Sequence, residues 1–330
     1  MTTSVSETHI FVGHDLIRQA HARIRPFVRE TGVERAPLLE SGDGAVWLKL
    51  ELQQVTGSFK VRGALNAMSA VAEGPSDRAR RVVASSAGNH ALGIAFGSQV
   101  SGVPATVFVP DTVDPSRRRA LEGYPVELKI VPGGYGGAEA AALSAAREPS
   151  VRFISPYNDP LVIAGQGTVG LELLQQVPDI DAVIIAVGGG GLLAGIGSYV
   201  RAMRPDAEII AVSPARSAVM CDRLAGRTVP CLGNVQTLSD STAGDIQEGS
   251  ITVDLCRALI DRWVVLAEEE IVAAMKYLFY EHRLVAEGAG ALAVGAYLRE
   301  RDGLKDRNCA LVVCGGNIEP ERFLGVIGRG

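Results

Sequence analysis

The sequence predicts an α/β protein: two domains, each with a mostly parallel sheet flanked by helices. Three observations lead there. Strand-like and helix-like runs alternate over most of the 330 residues. The strand-like runs are apolar and rich in β-branched residues, the pattern of strands buried on both faces. Hydrophobic residues make up 47% of the chain and charged ones 21%, which suits a large packed core rather than a disordered chain.

In order along the chain, "TGSFKVRGALNAM" (56–68) reads as a helix starting near Ser58. Lys60, Ala64, Ala67, Met68 and Val71 share one small, apolar face. Arg62, Asn66, Ser69 and Glu73 share the other, so Arg62 is expected to be a surface cation. Lys60 is then the odd residue: an ammonium on an apolar face, in a first turn where the helix dipole disfavours it. Next come βα pairs: "RVVASS" (81–86) with "HALGIAFGSQV", "ATVFVP" (105–110) with "PSRRRALEG", and "VELKIVP" (126–132) with "GGAEAAALSAAR". The run Arg117-Arg118-Arg119 reads as a solvated helix face. Pro, Asn and Asp cluster in "SPYNDP" (155–160) and mark a break. Beyond it lie the helical "LVIAGQGTVGLELLQQV", the strand and glycines of "DAVIIAVGGGG", then "EIIAVSP" and "NCALVVCGG".

Bulk properties exclude several functions. The net charge is −5, and no cluster of basic and aromatic residues suits nucleic acid. No apolar run approaches the roughly 18 residues that span a membrane. "MTTSVSETHI" lacks the pattern of a secretory signal. Cys221, Cys231, Cys256, Cys309 and Cys314 are odd in number and without C-x-x-C spacing, so reduced thiols and a cytoplasmic protein are expected. The five histidines form no metal-ligand motif, and neither a G-x-S-x-G elbow nor a Walker A loop exists.

Four stretches could carry chemistry. In "AVGGGGLLAGI" (186–196) a strand runs into Gly188–Gly191 and a helix start, which suits a phosphate. A dinucleotide site or a structural turn is the alternative; the dinucleotide needs an acid after "EIIAVSP", and none is there. "SSAGNHALG" (85–93) offers Ser86, Ala87, Asn89 and His90 at a helix start, as a carboxylate site or as an ordinary cap. Cys314 in "VVCGGNIEP" is a core thiol or a functional one. Glu287 in "AEGAGALA" is a helix-terminus acid or a buried one. A desolvated lysine with a phosphate cradle suggests Schiff-base chemistry, as pyridoxal phosphate requires.

"TGSFKVRGA", "SSAGNHALG", "AGQGT", "VGGGGLLAG" and "CGGN", in this order, resemble the signatures of fold-type II pyridoxal-phosphate enzymes, the group of threonine/serine dehydratases and serine racemase. The resemblance covers nearly the whole chain. It implies a tryptophan-synthase-β-like fold, with a large domain from 1–56 and 161–330 and a small domain, 57–160, that closes on substrate. It implies that Lys60 forms the Schiff base with pyridoxal 5'-phosphate, with Phe59 beside the ring. Gly188, Gly189, Gly190, Gly191 and Leu192 would hold the phosphate, Asn89 the phenolic oxygen, and Cys314 would face the ring nitrogen. Glu287 matches a family acid near the cofactor. Ser86, Ala87, Asn89 and His90 would bracket the substrate carboxylate.

The implied reaction is α,β-elimination of water from a 3-hydroxy amino acid, L-threonine or L-serine by default, releasing a 2-oxo acid and ammonia. A bulkier substrate, such as 3-phenylserine or a hydroxyectoine-derived compound, is the alternative, followed by a serine/aspartate racemase. Ala87 stands where racemase-like chains carry a serine that acts as the second base. Ser213 and Val219 occupy the places of the family's cation-binding acids, so no metal is expected. Leu92 replaces a common glutamine, and Tyr157 stands where some relatives have smaller polar residues. No regulatory domain is expected within 330 residues. The expected partners are a small amino-acid substrate and further copies of the chain, as a homodimer or higher oligomer.

Overall fold

The computed structural model describes residues 12–75, 79–227 and 235–328; Cys231 and His9 lie outside them. Among the described residues the strands form two sheets. The strands are β1 (Val33–Arg35), β2 (Val46–Lys49), β3 (Arg81–Ser85), β4 (Ala105–Pro110), β5 (Val126–Val131), β6 (Val151–Phe153), β7 (Ala182–Ala186), β8 (Glu208–Pro214), β9 (Arg262–Leu266) and β10 (Cys309–Val312). One sheet has the order β1-β2-β10-β7-β8-β9, the other β5-β4-β3-β6. Every pairing is parallel except β1 with β2.

The apolar runs explain the central strands. In β7 and in β10 every residue is buried, because helices cover both faces. β1, β2, β6 and β9 were not singled out from the sequence; β1 and β6 have three residues each, too few for a periodic signal. Four cysteines, Cys221, Cys256, Cys309 and Cys314, are free thiols. No helix among the described residues is long and apolar enough to cross a membrane.

The helix Lys60–Glu73 sits between helices Asn89–Ser101 and Pro160–Gln176. Its contact with the second is backbone-close: a Cβ on Gly165 would stand 2.5 Å from the Cα of Gly63. Only glycine permits that approach.

Here the structure corrects the sequence. Arg62 is not a surface cation: it is fully buried, and so is Asn66. Arg62 does turn away from Lys60, but the space it enters lies inside the protein. Its guanidinium donates to Glu51 at 2.7 and 2.8 Å and to Glu172 at 2.6 and 2.7 Å. Lys49 Nζ completes the set, 2.9 Å from Glu172. The helix His14–Ile24 covers the other end of that face, where Arg23 donates to Asn66 at 2.7 Å and to Glu73 at 3.0 Å. The arginine run is corrected too. Arg118 and Arg119 are exposed, but Arg117 pairs with Asp240 at 2.9 Å, on the segment after β8.

Candidate active site

The C-terminal ends of β7 and β10 deliver two glycine turns to one cavity. β7 passes through Val187 into Gly188–Gly190, and the helix Gly191–Met203 follows. Gly190 has φ +87°, a left-handed conformation that side chains resist. A helix start leaves its first N–H groups without intrahelical acceptors, which makes the loop an anion cradle. β10 continues through Cys314 to Gly315, Gly316 and Asn317.

Lys60 faces this cavity from the first turn of its own helix. Phe59 N–H donates to the Cys314 carbonyl at 3.1 Å, which ties the lysine's helix to the β10 turn. Lys60 Nζ donates to the Pro156 carbonyl at 2.9 Å and lies 5.2 Å from the Phe59 ring centroid. Burial pushes its pKa down to about 8, against the opposing influence of Cys314 and Glu287. It retains some accessible surface and lines the cavity. The amine is therefore poised to lose its proton near neutral pH.

The opposite walls are acidic, amide and thiol. Glu287 stands at the N-cap position of helix Gly288–Glu300, makes no side-chain bond to the helix start and is buried. Burial first, then nearby Asp240, raise its pKa to about 7. Asn89 opens helix Asn89–Ser101 and donates to Glu287 at 2.9 Å. Cys314 Sγ lies 3.4 Å from the Ala289 carbonyl, and burial pushes the thiol well above its ordinary range. It stays a neutral thiol.

Of the residues singled out from the sequence, Phe59, Lys60, Asn89, Gly188–Gly191, Leu192, Glu287 and Cys314 line this one cavity. Ser86, Ala87 and His90 are not on its wall. Ser86 Oγ accepts from Gly88 N–H at 3.2 Å. The His90 ring is turned to the Ile154 carbonyl at 3.0 Å, and burial lowers its pKa to about 3, so it is neutral. Their turn offers the backbone donors of a helix start rather than side chains. Tyr157 lines the cavity against the glycine loop; a Cβ on Gly189 would meet its ring at 2.4 Å. Ser213 Oγ donates to the Val187 carbonyl at 2.7 Å, and Val219 is buried. Among the described residues no group of His, Cys, Asp or Glu could hold a metal ion.

Ser241, Thr242 and Ala289 also line the cavity and were missed. Ser241 and Thr242 belong to a single 3-10 turn, Asp240–Thr242, which leaves no periodic or motif signal in a sequence. The ties between the helices of the two sheets beside the cavity were missed as well. Asp240 receives Arg117 from one sheet's helices and Arg322 from the other's, at 2.9 and 3.1 Å. Ser116 also donates to Glu319.

An amine of lowered pKa, an anion cradle and a neutral thiol fit an aldehyde, a phosphate and a weakly basic ring nitrogen. Residues 24–315 match the family model described as pyridoxal-phosphate dependent enzyme. The chain belongs to this family. The family's relatives include the L-threonine ammonia-lyase of Thermotoga maritima, 35% identical over 95% of this chain and 78% of that protein. The catabolic L-threonine dehydratase of Staphylococcus aureus is 34% identical over 100% of this chain and 95% of that protein. Among solved structures, the processed form of threonine deaminase isoform 2 from Solanum lycopersicum superposes with a TM-score of 0.84 at 30% identity, over 97% of this chain and 91% of that one. Maize serine racemase gives 0.86 at 28% identity, over 96% and 97%. The α/β architecture is thus that of fold-type II pyridoxal-phosphate enzymes.

Proposed function

We propose that the protein removes water from a 3-hydroxy amino acid, L-threonine or L-serine, and releases a 2-oxo acid and ammonia. The observation that carries this reading is Lys60, a buried amine of lowered pKa held in a cavity with a glycine-rich anion cradle. The names of the relatives point to threonine as the substrate.

In this reading Lys60 is the amine that would hold the cofactor's aldehyde. Gly188–Gly191 and Leu192 would hold its phosphate, Phe59 would flank the ring, and Cys314 would face the ring nitrogen. Pyridoxal phosphate, when bound, supplies an electron sink that acidifies the substrate's Cα–H. Lys60, as a free amine, takes that proton; a pKa of about 8 matches it to work near neutrality. The neutral Cys314 thiol cannot keep the ring nitrogen protonated as an ionised acid would, which favours elimination over transamination. The start of helix Asn89–Ser101 would hold the substrate carboxylate through its first N–H groups, since Ser86 N–H and Gly88 N–H are already engaged with the Phe108 carbonyl and Ser86 Oγ. Phe59, Tyr157 and Leu192 exclude bulk water. The β-hydroxyl leaves as water, and the released enamine regains water as it hydrolyses, so the net products are one 2-oxo acid and one ammonia. Ala87 offers no proton carrier, which argues against racemisation.

The segment 57–160 is proposed as the small domain that closes on substrate, with 1–56 and 161–330 as the large one. A cytoplasmic homodimer or higher oligomer goes with this reading; light scattering of the purified protein measures the latter. The function is tested with a panel of 3-hydroxy amino acids assayed for 2-oxo acid. Threonine and serine should release 2-oxobutanoate and pyruvate, and Lys60→Ala should release neither. A chain that converts only a bulkier 3-hydroxy amino acid, or that returns D-amino acid without keto acid, refutes the proposal.

A further inference from the structure

Asn89 presents an amide to the cavity, and an amide can face either way. Its oxygen and nitrogen exchange places on a flip of the side chain, so its neighbours must decide which atom does what. The deciding group is Asn317. Its Nδ2 donates to the Thr56 carbonyl at 2.8 Å and to Asn89 Oδ1 at 2.7 Å. A carbonyl only accepts, so Thr56 fixes which end of Asn317 is the nitrogen. Asn317 in turn fixes the Asn89 oxygen, and Asn89 Nδ2 then donates to Glu287 Oε1 at 2.9 Å. Flipping Asn89 would set its nitrogen against the Asn317 nitrogen, and its oxygen against the Glu287 oxygen whenever that carboxyl is ionised.

The fit is tight at the far end. Gly57, with φ +75°, leaves room for Asn317: a Cβ there would stand 2.4 Å from Asn317 Oδ1. Thr56 and Gly57 lead directly into Lys60. One relay therefore joins the loop before the lysine, the turn after β10, the start of the Asn89 helix and the cap of the Glu287 helix.

We propose that Asn317 and Glu287 are positioning residues that lock the Asn89 amide, so that it turns an N–H, never its oxygen, toward an oxygen on the bound cofactor's ring. Asn89 has two amide hydrogens; Glu287 takes one and the other remains for the cavity. This rests on the reading that pyridoxal phosphate occupies the cavity. In the sequence Asn317 stands only as the end of "CGGN", with no task of its own.

The test is a mutant cycle on cofactor binding, read by affinity and by the pH dependence of the bound cofactor's absorbance rather than by turnover. Asn317→Ala, stripped of cofactor and titrated with pyridoxal phosphate, should bind about tenfold more weakly, the loss of one directed hydrogen bond. The pH at which its absorbance changes should move in the same direction as in Asn89→Ala. The double variant should bind no worse than Asn89→Ala alone, because toward the cofactor Asn317 acts through Asn89, its bond to the Thr56 carbonyl serving to fix its own orientation. Asn317→Asp keeps the shape but cannot donate; it should behave as Asn317→Ala and serves if the alanine variant does not fold. Additive losses, or an Asn317→Asp protein with native affinity and absorbance, overturn the proposal. An unaltered chain that takes up no pyridoxal phosphate overturns the cofactor reading as well, and that failure is distinct because it precedes any substitution.

Discussion

Replacing Arg62 by methionine should destabilise the protein by about 3–5 kcal/mol, although the site lies outside the cavity. The structure supplies the reason. Arg62, Lys49, Glu51 and Glu172 form a buried set of two cations and two acids, all with little or no exposure. Burial works against the Arg62 charge, yet the Glu51 and Glu172 carboxylates outweigh it and hold the guanidinium above its ordinary range. Methionine fills similar volume but leaves two carboxylates facing one lysine. The cost is that of an uncompensated buried charge, not of a lost surface pair, which would be about 1 kcal/mol or less. Arg62→Lys should recover only part, because an ammonium has three donors and cannot fork onto both acids. Urea unfolding of the three proteins, followed by circular dichroism, measures the difference. A methionine variant within about 1 kcal/mol of the parent would refute the argument, since that is the range of an exposed pair.

Three further predictions concern the cavity. Glu287 is raised from 4.5 to about 7, so between those pH values the folded protein keeps a proton that the unfolded chain releases. Stability should therefore be greatest below pH 4.5 as far as this group is concerned, and should fall by up to about 3 kcal/mol as pH rises to about 7. Glu287→Gln should lack this component, and the difference between the two proteins' urea midpoints at about pH 5 and about pH 8 isolates it. Gly189→Ala should weaken pyridoxal-phosphate binding at least about tenfold with the fold intact, because the new methyl meets the Tyr157 ring while the Tyr157 hydroxyl is held by Gln247 N–H at 2.9 Å. Equilibrium dialysis of the cofactor reads this outcome. Asp240→Asn should raise KM for the amino acid by no more than about fivefold and make it less sensitive to salt, as expected when a partly exposed pair next to the cavity-lining Ser241 is lost. Initial rates at low and high ionic strength check it.

What the sequence made legible follows from what leaves a local mark. β4 and β8 match the runs "ATVFVP" and "EIIAVSP" residue for residue, because a strand buried on both faces writes itself as an unbroken apolar run. Gly188–Gly191 and Lys60 were visible for a related reason: each breaks a local rule that ordinary packing would keep. Arg62 shows the limit. Helical spacing gave its direction correctly, away from Lys60, but spacing describes one helix and not what covers it. Its partners come from Glu51 and Glu172, and both acids interrupt apolar runs, "LKLELQQ" and "VGLELLQQV". An acid inside an apolar run and a lone arginine opposite an apolar face each look like surface residues when read alone. Read together with Lys49, they balance charge, and balanced charge is what allows ions to be buried. The same reasoning separates the two cations of "FKVR". Arg62 has carboxylates on both sides and remains an ion. Lys60 has a carbonyl, an aromatic ring and a glycine turn, with the nearest acid itself raised to about 7, and so is free to act as an amine. The chemistry follows from which of two neighbouring cations the fold leaves without an ionised partner.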